Sequence, residues 1–358
     1  MFADLPTIST SLHNSTTNSV FPIRPWLVTC YSIISLTGIS GNSLVLYVIK
    51  NNNHMKTSPF GTYLGGLALA DLLISLSCLP IYLTSTSAFT NHPTGIAGDI
   101  MCKVLSGYVL LFQFCGVSIY TMVAIAVQRY QAICKPLSSR ATATPGRARK
   151  IIAAIWLLAL MIAILAIYGE KYAKPDEATI GAHCKFSVTY NNDVIPRVVY
   201  MTIFTVQYII PVCCMTFCFV RIRMTLNQQI RLVEGKEGES QMAELKQARE
   251  RKRTVTTVLI VVVSYFLLWT PNQILYTCFN FHVYLASWDS NMFQVSVVLC
   301  FFSSCINPVI YAFRSQQFRT GFKNALGFCN CTQMRKGYRT FSNKSETSDS
   351  KRSEEDPC

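Results

Sequence analysis

Val117–Pro136 reads V-S-I-Y-T-M-V-A-I-A-V-Q-R-Y-Q-A-I-C-K-P, an apolar helix that runs without charge to Arg129 and Tyr130 and ends in a basic loop. A guanidinium is costly in hydrocarbon, and one at the rim of an apolar span marks a partner or a moving part. The plainer alternative is an arginine snorkelling to the lipid phosphates. The pattern recurs along the chain. A spanning helix needs about 20 mainly apolar residues, and seven such runs are present: Trp26–Ile49, Tyr63–Thr84, Val104–Ile133, Ile151–Tyr168, Val198–Val220, Val255–Phe279 and Phe293–Phe313. Their lengths predict helices rather than a barrel.

The 358 residues are 51% hydrophobic and only 14% charged, the composition of a membrane protein. The formal net charge of +14 lies mostly outside the runs, so nucleic acid explains it poorly. Lys50 and Lys56, then Lys135, Arg140, Arg147, Arg149 and Lys150, then Arg221 through Arg253 all follow odd-numbered runs. The positive-inside rule makes those loops cytoplasmic. The N-terminus is then extracellular, the tail after Arg314 is inside, and the first run serves as the targeting anchor in place of a cleavable signal.

The expected organisation is an extracellular segment 1–25, a seven-helix bundle 26–313, an amphipathic helix with a palmitoylation site 314–331, and a disordered cytoplasmic tail 332–358. Asn14 opens a glycosylation sequon in the first segment. In the third, Phe318, Phe322, Ala325 and Leu326 share one helical face, which suits a helix in the membrane interface, and Cys329 and Cys331 are placed for palmitoylation. The tail is rich in Ser and Thr mixed with acids, a composition that stays disordered.

Asp71 is the only formal charge inside any of the seven apolar cores. A carboxylate there must be protonated, paired or bound to a cation. Ser118, Ser303, Ser304 and Asn307 lie at matching depth, and with Asp71 they offer oxygen ligands for a small hard cation. The alternative is a neutral Asp71 hydrogen-bonded to Asn42 and Asn307. Pro211, Pro271 and Pro308 each remove a main-chain bond. Pro271 clashes with the Leu267 carbonyl and predicts a hinge in the sixth run, one turn from Trp269. Most of the 15 cysteines fall inside runs, where they act as small apolar residues. Cys102 and Cys184 fall on the oxidising side, where a bridge is plausible, with Cys30, Cys78 and Cys278 as rival partners. No cysteine–histidine spacing points to zinc.

Gly41-Asn42, L-A-L-A-D ending at Asp71, Cys102 with Cys184, Arg129-Tyr130, Trp156, Pro211, W-T-P from Trp269 and N-P-V-I-Y from Asn307 come in order, one set per helix. Together they resemble the rhodopsin-like (class A) G protein-coupled receptors over roughly Trp26 to Cys331. The resemblance implies an all-α seven-transmembrane bundle with a short eighth helix, a ligand site opening outward, and an inner cavity for a heterotrimeric G protein. It further implies plasma-membrane localisation, a Cys102–Cys184 disulfide, an allosteric Na⁺ at Asp71, Ser118, Ser303 and Asn307, and a tail read by receptor kinases and arrestin. The coupling and switch residues are then Gln128, Arg129, Tyr130, Phe219, Trp269, Pro271, Asn307, Pro308 and Tyr311. The sequence departs from the family where Gln128 replaces an acid, Phe219 a tyrosine, and Leu268 a common cysteine.

An amine ligand needs a carboxylate on the third helix to meet its ammonium, and Leu111 occupies that place. A retinal needs a lysine on the seventh for its Schiff base, and Phe293–Phe313 has none. What remains is an aromatic and amide-rich rim of Tyr82, Tyr108, Leu111, Phe112, Tyr200, Gln207, Trp269, Asn272, Gln273, Tyr276 and Phe293. Such a rim suits an extended peptide, with aromatics giving area and amides pairing main-chain groups, under a lid formed by the loop 169–197. A neuropeptide is the expected ligand, with a small non-amine or lipid ligand as the alternative. An ion or proton carrier is a weaker alternative, since carriers show several intramembrane charges along a path and internal repeats. No nucleophile with an adjacent base and no metal cluster supports an enzyme.

Overall fold

The computed structural model describes residues 23–84, 86, 93, 95–106, 109–137, 143–167, 170–172, 184–186, 194–234, 240–281, 283 and 290–327. Helix α1 (Pro25–Asn51) opens with a proline in its first turn, where the missing N–H has no partner to lose. A one-turn α2 (Asn53–Lys56), capped by the Asn52 side chain on the Met55 N–H, reverses the chain into α3 (Pro59–Thr84). There the Ser58 hydroxyl accepts from the Gly61 N–H at 2.9 Å, a helix N-cap. A short α4 (Gly95–Met101) and a π-helical turn Cys102–Ser106 precede α5 (Val109–Cys134), which carries the stretch quoted first. Next comes α6 (Pro145–Ile167).

Strands β1 (Glu170–Tyr172) and β2 (Cys184–Phe186) pair antiparallel with Lys171 opposite Lys185. The fifth helix is built in three pieces: α7 (Val194–Phe204), a π-helical turn Thr205–Ile209, and α8 (Ile210–Glu234). Pro211 has no N–H for the Gln207 carbonyl, and the chain widens by one π turn just before it. Helix α9 (Ser240–Asn280) runs 41 residues with Pro271 inside it, and α10 (Asn291–Arg314) carries Pro308. Last described is α11 (Gln316–Ala325), which packs on α1 and α10 and buries Phe318.

Among the described residues six segments are long and apolar enough to cross a membrane: Pro25–Asn51, Pro59–Thr84, Gly95–Cys134, Arg197–Glu234, Gln241–Asn280 and Asn291–Arg314. With α6, 23 residues long and packed on α3 and α5, they make a seven-helix bundle and a multi-pass membrane protein. Its outward faces are apolar, as Leu36 at 70% and Leu267 at 69% exposure illustrate. That is the arrangement expected when lipid replaces water as the solvent. Close helix contact uses small residues: a Cβ on Gly41 would stand 2.9 Å from the Pro308 ring, so this glycine lets α1 lie against α10.

Two large apolar clusters fill the bundle, and a small third one of Ala70, Val117, Ile155 and Ala159 joins α3, α5 and α6. One large cluster, toward the Arg129 end, includes Met122, Ile125, Met215, Phe219, Val262, Tyr265 and Tyr311. The other, toward the opposite end, includes Leu27, Tyr31, Ile74, Tyr82, Leu111 and Phe301. Trp269 packs against both large clusters.

Candidate functional site

Asp71 is 1% exposed in the middle of α3. Its Oδ1 accepts from the Ser118 hydroxyl of α5 at 2.9 Å and its Oδ2 from the Asn307 amide of α10 at 2.7 Å. Three helices thus meet on one carboxylate, and no cationic side chain pairs with it among the described residues. Asn42 does not join them. Its amide donates to the Gly38 carbonyl at 2.9 Å and the Ser304 carbonyl at 3.1 Å, tying α1 to α10 instead. The alternative of a protonated Asp71 held by Asn42 and Asn307 therefore keeps only its Asn307 half. Ser303 is buried nearby, donates to the Cys300 carbonyl at 2.6 Å and accepts from the Trp269 indole N–H at 3.2 Å. The donor set suits a small hard cation. It has one uncompensated carboxylate, two hydroxyls, and an amide that presents an oxygen when turned over.

The outer-rim residues have different surroundings. Tyr82, Leu111, Tyr200 and Phe293 are buried in helix packing. Tyr82 lies 4.9 Å from the Tyr31 ring and its hydroxyl accepts from the Arg24 N–H. Tyr200 shares a hydrogen bond with Thr277 and stacks near Tyr276 and Phe204, and Phe293 meets Phe279 edge-on at 5.6 Å. Gln207, Asn272, Gln273 and Tyr276 are half-buried and Phe112 is exposed. The Asn272 amide donates to Ser296 at 3.1 Å. Tyr108 lies outside the described residues.

Sequence reasoning missed Tyr208, Thr270 and Thr277. Tyr208 and Thr270 share a hydrogen bond at 2.6 Å, and with the Tyr200–Thr277 pair they fasten the fifth helix to α9 at two points, one within the π turn and one before it. An aromatic residue every four positions, Tyr200, Phe204 and Tyr208 forming one row, was the available signal.

At the other end, Arg129 does not bond its neighbour Gln128: Gln128 Oε1 and Arg129 Nε are both buried without a partner. The guanidinium instead lies over the Phe60 ring, 3.6 Å from its centroid. Tyr130 packs near Phe217, Phe219 is buried, and Tyr311 stacks on Phe318 at 5.3 Å. A cavity of about 890 Å³ opens here, its walls including Phe60, Leu67, Ile125, Arg253, Tyr311 and Phe318. The Arg253 guanidinium donates to the Arg314 carbonyl at 3.2 Å, joining α9 to the end of α10.

Cys184 sits on β2, and β1 lies against the π turn that Cys102 opens. Their side chains lie outside the described residues, as do Asn14, Cys329 and Cys331. The rival cysteines Cys30, Cys78 and Cys278 are free thiols.

The profile of the 7 transmembrane receptor (rhodopsin family) matches residues 41–311. The chain is 29% identical to galanin receptor 2a of Danio rerio, over 83% of this chain and 77% of that receptor. It is 31% identical to bombesin receptor subtype-3 of Ovis aries over 84% and 74%, and 28% identical to somatostatin receptor type 1 of Rattus norvegicus over 83% and 70%.

Proposed function

Because the chain belongs to the rhodopsin family of seven-transmembrane receptors, we propose that it binds an extracellular neuropeptide at the outer end of the bundle and activates heterotrimeric G proteins at the Arg129 end. The observation that carries the peptide assignment is its alignment, over most of their lengths, with receptors named for galanin, bombesin and somatostatin. The bundle chemistry agrees. Helix α5 offers no acid to an amine and α10 no lysine to a retinal, whereas the half-buried Gln207, Asn272, Gln273 and Tyr276 offer amides and a ring to a peptide main chain.

A path for the signal follows contacts already described. Ligand contacts at the outer end press on Trp269, which touches both large apolar clusters and holds Ser303. Ser303 lies on α10 with Asn307, and Asn307 holds Asp71. Asp71, Ser118, Ser303 and Asn307 are the residues that hold Na⁺ in the resting arrangement, where the ion supplies the missing positive charge. A ligand state that moves α10 disperses these oxygens, so ion and agonist oppose each other. The protein resides in the plasma membrane with a glycan at Asn14 outside, a Cys102–Cys184 bridge under the lid, palmitate at Cys329 and Cys331, and a tail phosphorylated for arrestin.

The second reading is a lipid ligand. It rests on a crevice of about 460 Å³ walled by Val198, Met201, Val206 and Phe281, with Arg197 at its edge. Membranes holding the protein, G protein heterotrimers and labelled GTP analogue separate the two. Panels of amidated and free-acid neuropeptides are expected to accelerate nucleotide exchange. Acceleration by lipid extracts alone refutes the peptide assignment, and acceleration by neither refutes the receptor assignment.

A further inference from the structure

Among the described residues Arg129 faces no carboxylate, and its Nε is buried without a hydrogen-bond partner. The group it does face is Phe60, whose ring centroid is 3.6 Å from the guanidinium carbon. At that separation the planar cation lies on the negative face of the ring, and the attraction is strongest where water is excluded.

The ring is held in place by its own surroundings. Phe60 sits in the first turn of α3, just after Pro59. The Ser58 hydroxyl caps that turn, and the Met55 carbonyl accepts from both the N–H and the hydroxyl of Ser58. A Cβ on Gly61 would come within 2.0 Å of the Met55 backbone oxygen, so α2 rests directly on the start of α3. The direction in which Phe60 leaves the helix is thereby fixed. Phe60 lines the 890 Å³ cavity while Arg129 does not. The ring is both the seat of the guanidinium and part of the wall that a partner entering the cavity meets.

Resting on the receptor reading above, we propose that Phe60 is the positioning residue for Arg129. It holds the guanidinium by stacking in the resting state, in place of the neighbouring acid that Gln128 does not supply. A G protein segment that enters the cavity competes for the ring and releases the arginine. The ring does not titrate and the guanidinium stays protonated at neutral and lower pH, so the restraint does not weaken as the cytoplasm acidifies.

Two measurements test this. In protein labelled on arginine, the Arg129 Hε resonance is expected upfield of the exposed arginines by the ring current, and Phe60→Leu is expected to remove that displacement. An unshifted Arg129 in the parent overturns the contact whatever the signalling assays give. In ligand-free membranes, replacing Phe60 with phenylalanines of increasing fluorination withdraws the ring's negative face at nearly constant shape. Nucleotide exchange is expected to rise stepwise, to roughly three- to tenfold at full fluorination or in Phe60→Leu. Adding Gln128→Asp to Phe60→Leu is expected to return it to the parent level, which a loss of folding would not allow. A flat fluorination series with agonist response intact overturns the positioning role and leaves the receptor reading standing. Failure of both the peptide panels and the lipid extracts to accelerate exchange in the parent refutes that reading instead.

Discussion

Asp71→Asn is the substitution with the most definite expected outcome. The carboxylate is 1% exposed and, among the described residues, accepts only from Ser118 at 2.9 Å and Asn307 at 2.7 Å, both neutral. One uncompensated negative charge has room for one monovalent ion. If that ion binds the resting arrangement alone, each tenfold rise in sodium weakens agonist affinity by at most about tenfold, or about 1.4 kcal/mol. A plot of log agonist Kd against log sodium therefore climbs with a limiting slope of about one. Asparagine keeps the size and the hydrogen-bonding capacity but removes the charge, and the plot should become flat. Ser118→Ala should keep the slope while losing an oxygen ligand. Hydrogen bonds to charged groups are worth about 1.5–3 kcal/mol, so the onset moves to roughly tenfold higher sodium or more. The assay is competition binding on membranes, with choline replacing sodium at constant ionic strength so that screening does not change. A sodium-dependent slope that survives in Asp71→Asn refutes the reasoning, as does a slope clearly above one in the parent, which requires a second ion.

Tyr208→Phe removes one neutral hydrogen bond to Thr270, worth about 0.5–1.5 kcal/mol, and should lower the detergent-solubilised melting temperature by about 1–4 °C; an unchanged Tm means the hydroxyl already bonds elsewhere. Gly61→Ala forces a Cβ to within 2.0 Å of a backbone oxygen that cannot swing away, so surface expression measured by cell labelling should fall sharply, and normal expression would show that α2 moves freely. Peptide mapping of unreduced protein should recover Cys102 joined to Cys184 with Cys30, Cys78 and Cys278 alkylated. Loss of that bridge should cost about 2–4 kcal/mol of stability, and recovery of any other pair overturns the assignment.

The membrane character of the chain was legible because hydrocarbon imposes a single demand, a long unbroken apolar run, and that demand is visible residue by residue. The run Trp26–Ile49 lies inside α1 (Pro25–Asn51), and Phe293–Phe313 lies inside α10 (Asn291–Arg314). The same criterion stopped too early on the fifth and sixth helices. The run ending at Val220 continues as helix to Glu234, and the run beginning at Val255 is already helical from Ser240. The extra turns are rich in Arg, Lys, Gln and Glu, good helix formers that hydropathy cannot see. Within the site, Asp71 stood out because its charge is improbable in that setting, and Ser118 and Asn307 lay at the right depth on other helices. Which way a side chain faces was less readable. Tyr82 and Tyr200 have the composition of a ligand rim, yet Tyr31 and Thr277 occupy the space beside them. Phe60 gave no signal at all, since an aromatic residue at the start of an apolar helix is ordinary until Arg129 is placed over it.

The length of α9 has a mechanical consequence. At about 1.5 Å per residue its 41 residues extend about 62 Å, roughly twice the hydrocarbon thickness. Pro271 divides it unequally, leaving about 46 Å of arm toward Ser240 and about 14 Å toward Asn280, and Trp269 lies on the long arm only about 3 Å from the pivot. A change of about 10° at such a pivot displaces the indole by about half an ångström and the far tip by about 8 Å. The helix is thus a lever with a mechanical advantage of about fifteen in displacement. The bond from Arg253 to the Arg314 carbonyl grips that lever about 27 Å down its long arm. There a single weak hydrogen bond opposes rotation with a far greater moment than the same bond would exert beside Trp269.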